Sequence, residues 1–215
     1  TVGASLSGWL LAIESQKLTW VLGVAGVLAI LLFRQEKFRG GGRFLLSLAF
    51  VYLGMSVMRD SLEGLETLYS LSTILNETYW LVALGIILAF LFQSHAIVLG
   101  LAFVLIGDII SLTSSLFLIF SGHIGIAILT LKSSFKGSVA ARRVSMTFLF
   151  YSLFGFALVF LTRDKWLNYT VYLEELNGSI QIAITYSIFN ILVLLLFLPF
   201  IKLCLRAIFL FIPEK

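Results

Sequence analysis

Cysteine, proline and charged residues are all scarce in this chain of 215 residues. A single cysteine, Cys204, excludes an internal disulfide and a cluster of thiolate metal ligands. Two prolines exclude a collagen-like sequence. Only 12% of the residues are charged, whereas a soluble domain has about 25%. Because 60% of the residues are hydrophobic and the mean hydropathy is +1.07, the composition also excludes an ordinary soluble globular protein.

Long apolar runs occupy most of the chain. They lie at Leu18–Phe33, Phe44–Met58, Trp80–Phe92 and Ile182–Ile201. A helix needs about 20 predominantly apolar residues to cross the hydrocarbon core of a membrane. The runs therefore predict an all-α, polytopic transmembrane bundle, with the lipid bilayer as its first partner.

The basic residues predict how this bundle is oriented. Eleven of the fifteen lysines and arginines fall on one side if the apolar runs are taken as successive crossings: Arg34, Lys37, Arg39, Arg43, Lys132, Lys136, Arg142, Arg143, Lys202, Arg206 and Lys215. Short cytoplasmic loops carry such an excess. We therefore expect a cytoplasmic C-terminus in a plasma membrane or bacterial inner membrane. Since these cations flank apolar runs, the net charge of +4 does not indicate a nucleic-acid partner.

The segment from Tyr79 to Leu131 joins an outer loop to an inner one, so it must cross the membrane an odd number of times. Its apolar stretches are interrupted at Gln93–His95 and again at Ser121–Gly125. Each piece is short for a full crossing. This pattern predicts a hairpin that turns at Gln93–His95, followed by a crossing helix broken at Ser121–Gly125. Irregular backbone at membrane depth needs shelter, so we expect the two breaks to share one polar centre.

These two interruptions resemble motifs of the sodium/phosphate cotransporter family. Gln93-Ser94-His95-Ala96 is similar to the QSSS-type hairpin tip of that family's second repeat, and Ser121-Gly122-His123-Ile124-Gly125 is similar to its GANIGTT-type break. Flanking stretches at Arg43–Leu65, Ala140–Phe156 and Ile182–Phe200 also resemble the family, so the resemblance spans roughly Phe33 to the C-terminus. It implies one repeat of such a transporter, with a re-entrant hairpin and a broken helix. The candidate residues for binding substrate or ion are Gln93, Ser94, His95, Ser121, Gly122, His123, Gly125 and Asn190.

The chain departs from the family pattern at several candidate ligand positions. His95, His123, Ile126 and Ala127 stand where the family has serine, asparagine or threonine. Tyr186 stands where a histidine usually precedes the phenylalanine-asparagine pair. Sodium and phosphate sites depend on oxygen ligands, hydroxyl groups and helix N-termini, so these changes weaken both. No first-repeat motif is apparent in Thr1–Phe33.

His95 and His123 are the two histidines of the chain, and three interpretations of them stay open. Ionisable residues within the membrane tend to mark functional positions. Each imidazole is expected to hydrogen-bond backbone at a helix break, to take part in proton coupling, or to ligate a metal or pigment. Two histidines without a nearby carboxylate or thiolate make an incomplete metal site, so we predict no metal centre.

No hydrolase or nucleotide-binding motif is present, so we predict that the chain is not an enzyme. We expect a single transmembrane domain: an N-terminal span and basic loop (1–42), a transporter-like repeat (43–163), and an outer loop, closing helix and tail (164–215). Two functions remain. One is half of a sodium-dependent phosphate or solute transporter, with a sodium ion as its one candidate cofactor and its first repeat supplied elsewhere. The other is a transport-inactive accessory subunit of a larger membrane complex.

Overall fold

The computed structural model describes residues 2–13, 15–63, 77–107, 109–170, 173 and 175–213. Within them lie nine α-helices: α1 (Val2–Ala12), α2 (Gln16–Leu32), α3 (Glu36–Glu63), α4 (Thr78–Phe92), α5 (His95–Leu105), α6 (Leu112–Ser134), α7 (Val139–Thr170), α8 (Gly178–Phe197) and α9 (Ile201–Phe211). A short 3-10 turn, Leu198–Phe200, joins α8 to α9. The predicted all-α class is confirmed.

Four helices are long and apolar enough to cross a membrane. They are Glu36–Ser61, Leu112–Ser134, Val139–Arg163 and Gly178–Phe211, the last running through the 3-10 turn. The pair α1 and α2 bends by 111° and counts as a fifth crossing if it is one broken span. Helix α6 is central, because 72% of its membrane window is buried against 22% in each of the other three. The chain is therefore a multi-pass membrane protein.

Helices α2 and α3 form a tight hairpin. A side chain at Gly26 would meet the backbone of Leu46 and Gly42 within 2.9 Å, so only glycine lets the two helices come this close. By its sequence, the basic stretch 34–43 is expected to form a loop, and its run Gly40-Gly41-Gly42 predicts a flexible hinge. However, α3 already begins at Glu36 and runs through all three glycines. The expected hinge is therefore wrong. Of the three glycines, Gly42 packs against α2, since a Cβ atom there would lie 2.9 Å from Ala29 Cβ.

Helices α4 and α5 form the predicted hairpin at Gln93–His95. Gln93 adopts the left-handed conformation with φ 55° and ends α4. Ser94 is extended and precedes the first turn of α5. A single left-handed residue is a common way to stop a helix, because it turns the next peptide out of the helical path.

The predicted break at Ser121–Gly125 is wrong, since α6 is continuous from Leu112 to Ser134. The chain leaves helical geometry earlier, where Gly107 has φ 93° and Ser111 caps α6 by accepting a hydrogen bond from the amide of Ser114. Asp108 follows Gly107 in the sequence, and a carboxylate there is expected to cap a helix that begins near Ile109, but Asp108 lies outside the described residues.

The glycines of the predicted break serve close packing instead. A Cβ atom at Gly125 would overlap the carbonyl oxygen of Ile86 in α4 and lie 2.9 Å from Ala89 Cβ. A Cβ atom at Gly122 would lie 3.0 Å from Val98 in α5. Gly85 in α4 faces α6 in the same way. Small residues let α6 approach both arms of the hairpin, so they bring α5 and its first residue, His95, up against the middle of α6.

Candidate functional site

The two histidines of the chain meet between α5 and α6. His95 is the first residue of α5, and His123 lies in the middle of α6. Their ring centroids are 4.1 Å apart, with an angle of 49° between the ring planes. The predicted juxtaposition of the two motifs is therefore present at the histidines, although one of the motifs contains no helix break.

Each imidazole makes one hydrogen bond through its Nε2 atom. That of His95 lies 3.2 Å from the carbonyl oxygen of Ile119, so His95 Nε2 is the donor. That of His123 lies 3.0 Å from the Tyr186 hydroxyl, where the direction of donation follows from the tautomer of His123. The His95 bond is made to backbone, but to a continuous helix and not to the expected break.

Aromatic side chains enclose His123. The ring of Phe120 lies 5.3 Å from that of His123 and 6.0 Å from that of Tyr186, measured between centroids. Gly8 of α1 lies against the other side of Tyr186, where a Cβ atom would be 3.4 Å from the ring. His123 is 4% exposed and Tyr186 is fully buried, whereas His95 is half-buried. His123 is therefore enclosed by the protein, whereas His95 is enclosed only in part.

Asn190 is a further polar residue of α8 beside Tyr186. It lies one helical turn after Tyr186, is fully buried, and donates through Nδ2 to the carbonyl oxygen of Tyr186 at 3.0 Å. Its Oδ1 atom and the hydroxyl of Thr185 are buried, and the described part of the chain offers neither of them a hydrogen-bond partner. His95, His123, Tyr186 and Asn190 thus form one continuous cluster, which we call the histidine row.

The other candidate residues lie outside the histidine row. At the tip of the hairpin, Gln93 is exposed and Ser94 is half-buried. We expected Gln93 to lie in a shared polar centre, but its side chain is not buried there. Ser121 donates to the carbonyl oxygen of Leu118 within its own helix at 2.8 Å. Gly122 and Gly125 are contacts between helices. Ser94 occupies the N-cap position of α5, but its side chain accepts no capping hydrogen bond from that helix.

Sequence reasoning noted Tyr186 only as a departure from the family pattern. The signal that could have identified it is its spacing of four residues from Asn190, which places both side chains on one face of a helix. The sequence could not identify the side chain that contacts this face, since His123 is 63 residues away from Tyr186.

The histidine row does not resemble a complete metal or sodium site. Across the described ranges, no three His, Cys, Asp or Glu side chains come together in a way that could hold a metal ion. In secondary transporters, sodium is coordinated by oxygen atoms, including backbone carbonyl groups of unwound helix segments. The histidine row instead presents two imidazole rings beside a continuous helix. Its chemistry suits a hydrogen bond between a neutral imidazole and a phenol.

Comparison with known proteins relates the N-terminal part of the chain to a transport family. The sequence model described as Na+/Pi-cotransporter matches residues 1–60, which include α1, α2 and most of α3. The hairpin tip and the histidine row lie outside this match, and it overlaps our motif-based resemblance only from about Phe33 to residue 60. The match shows that residues 1–60 are similar to the sodium/phosphate cotransporter family.

The full chain is also similar to a bacterial protein. The uncharacterized protein YqeW of Bacillus subtilis (strain 168) is 29% identical over 222 residues, an alignment that covers 100% of this chain and 71% of that protein. No solved structure matches the chain.

Proposed function

We propose that this chain, as a member of the sodium/phosphate cotransporter family, forms one half of a transporter for a small oxyanion such as phosphate. In this proposal the α4–α5 hairpin is re-entrant and its tip forms part of the solute path. The other repeat comes from residues outside this chain or from a second chain.

The observation that carries the proposal is the geometry of the hairpin. At a rise of 1.5 Å per residue, the 15 residues of α4 and the 11 of α5 are about 22 and about 16 Å long. The hydrocarbon core is about 30 Å thick, so neither arm reaches across it. The tip also packs on α6, the most buried helix. Non-helical backbone at this depth is stable where protein or a water-filled path surrounds it, as in transporters.

The tip has the chemistry that an oxyanion requires. The first turn of α5 presents backbone N–H groups that have no partner within the helix, and the positive end of the helix dipole points the same way. The hydroxyl of Ser94 adds a donor that capping does not use. These groups favour a phosphate-like ligand over a cation.

A measurement of phosphate uptake tests this proposal. Proteoliposomes that contain the product of the full open reading frame should take up radiolabelled phosphate when a sodium gradient is applied. Proteoliposomes with this chain alone should match empty liposomes, because the second repeat that completes the solute path in this proposal is missing. Sodium-dependent uptake by the chain alone would contradict the half-transporter proposal.

Two serine variants locate the solute path within the full-length protein. Ser94→Ala removes the free hydroxyl at the tip and should raise the KM for phosphate several-fold. Ser133→Ala is the matched control, because Ser133 is exposed and donates only to Leu129 within its own helix. Equal KM values for the two variants would place the solute path away from the hairpin tip.

One observation favours the alternative of a transport-inactive accessory subunit. Helix α6 is unbroken, and the imidazoles occupy the place where the resemblance implies ion ligands. If the full-length protein takes up neither phosphate nor another oxyanion, and purifies in a stable complex with other membrane proteins, the accessory role replaces the transporter proposal.

A further inference from the structure

An arginine clasp fastens the C-terminal helix to the rest of the bundle. Arg143, in the first turns of α7, donates from Nε and Nη2 to the carbonyl oxygen of Ile212 at 3.1 and 3.0 Å. Its guanidinium carbon also lies 4.2 Å from the ring centroid of Phe209. A cation that binds the last carbonyl groups of a helix also complements the negative end of the helix dipole. The clasp therefore places the end of α9 beside the beginning of α7.

Several basic side chains lie at the same end of the bundle. Lys132 lies in the last turn of α6, and Lys136 lies in the α6–α7 corner. Arg142 closes that corner by donating to the carbonyl oxygen of Phe135 at 2.9 Å. Lys202 and Arg206 are exposed on α9, one helical turn apart. The sequence has no acidic residue between positions 109 and 163 or between 176 and 213, and Glu214 lies outside the described residues.

Helix α9 is amphipathic, with a large exposed apolar surface. Ile208 is fully buried, whereas Leu203, Leu210 and Phe211 are 65%, 83% and 72% exposed. A short helix with exposed large apolar side chains beside cations is typical of segments that lie at the interface between lipid tails and headgroups. Since α8 is 20 residues long and predominantly apolar, it is long enough to cross the membrane without α9.

We infer that α9 and the α6–α7 corner form a docking surface for anionic phospholipids of the leaflet at this end of the bundle. The exposed leucines and Phe211 enter the upper acyl region, while Lys202 and Arg206 pair with phosphate headgroups. Lys132 and Lys136 extend the same positive surface. Each cation near an anionic membrane surface adds to the attraction, and the preference falls as salt screens it. The clasp fixes the position of α9 so that its two cations face the headgroups together. This inference concerns the lipid surface and does not depend on the transported solute.

Lipid retention tests the inference on the full-length protein. The protein is reconstituted in nanodiscs with equal amounts of phosphatidylglycerol and phosphatidylcholine, re-extracted in mild detergent, and the bound lipids are counted by mass spectrometry. The wild-type protein should be enriched in phosphatidylglycerol. The double variant Lys202→Gln/Arg206→Gln should lose roughly a factor of ten in this preference.

The matched control removes two cations from the far end of α7, with Arg163→Gln/Lys165→Gln. This variant should keep the wild-type preference. An unchanged preference in the α9 variant, or an equal loss in the control, would overturn the inference. If the α9 variant does not give a stable protein, the wild-type protein provides the test. Its preference for phosphatidylglycerol should fall as sodium chloride rises from about 50 to about 300 mM. A preference that salt leaves unchanged would also overturn the inference.

Discussion

The bond between His123 and Tyr186 is the most buried polar interaction that the described side chains make between two distant parts of the chain. Both residues lie in membrane-spanning helices and are surrounded by aromatic rings. A polar atom that loses its partner in such surroundings costs more free energy than the bond itself contributes, because water cannot replace the partner. We therefore expect this hydrogen bond to stabilise the packing of α6 against α8.

Replacement of Tyr186 by phenylalanine tests the contribution of this pair. Tyr186→Phe leaves the ring in place but removes the partner of His123 Nε2, so we expect a loss of about 1 kcal/mol. In a protein of this size that lowers the midpoint of thermal unfolding by about 2–4 °C. The control is Tyr79→Phe, whose ring is 83% exposed and which should not change the midpoint. Equal midpoints for the two variants would show that the His123 bond adds nothing to stability.

At the scale of elements, close contacts at glycine hold the hairpin against α6. Gly85, Gly122 and Gly125 lie where a Cβ atom would meet a neighbouring helix, and Gly26 and Gly42 do the same between α2 and α3. In a membrane, helices gain little from the hydrophobic effect on one another, so close backbone approach supplies much of their attraction. Gly122 and Gly125, which suggested a helix break in the sequence, are therefore sites of helix association.

A pair of alanine variants separates these two roles of glycine. Gly125→Ala should destabilise the protein by about 1–3 kcal/mol, because its methyl group would overlap the Ile86 carbonyl. Gly54→Ala is the control, since nothing lies within 4 Å of its Cβ position and alanine favours the helix. The thermal midpoint should fall in the first variant and stay or rise in the second. A rise in both would mean that α4 and α6 are not in close contact.

At the scale of the whole molecule, basic residues are concentrated at one end of the helix bundle. Ser138 precedes α7 and Asn177 precedes α8. The contact of Arg143 with Ile212 places the start of α7 beside the end of α9, so Ser138 lies at the end of the bundle opposite to Asn177. The clasp of Arg143 gathers the α6–α7 corner and the C-terminal helix on one side. The cations of that side are the ones that the sequence assigned to the cytoplasm.

Cysteine labelling from either side of the membrane tests this orientation. In a Cys204→Ser background, a cysteine introduced as Ser138→Cys or Gly41→Cys should react with an impermeant maleimide only from the cytoplasm. Asn177→Cys should react only from outside, because eleven of the fifteen basic residues lie on the opposite side. Labelling of positions 41 and 177 from the same side would overturn the topology.

Composition and apolar runs by themselves determined the all-α class, the multi-pass architecture and the hairpin at Gln93–His95. These features depend on local chemistry, since the cost of exposing charge or backbone to lipid is the same wherever a residue lies. The sequence also selected His95, His123 and Asn190, because polar residues stand out in apolar surroundings.

Only the tertiary structure decided what those residues do. It made α6 continuous through Gly122 and Gly125, turned the glycines of 40–42 into helix, and joined His123 to Tyr186 across 63 positions of sequence. A glycine has the same sequence signature whether it breaks a helix or admits a neighbouring one. The difference lies in the backbone that faces it, and that partner is fixed by the packing of distant helices and not by the residues beside it.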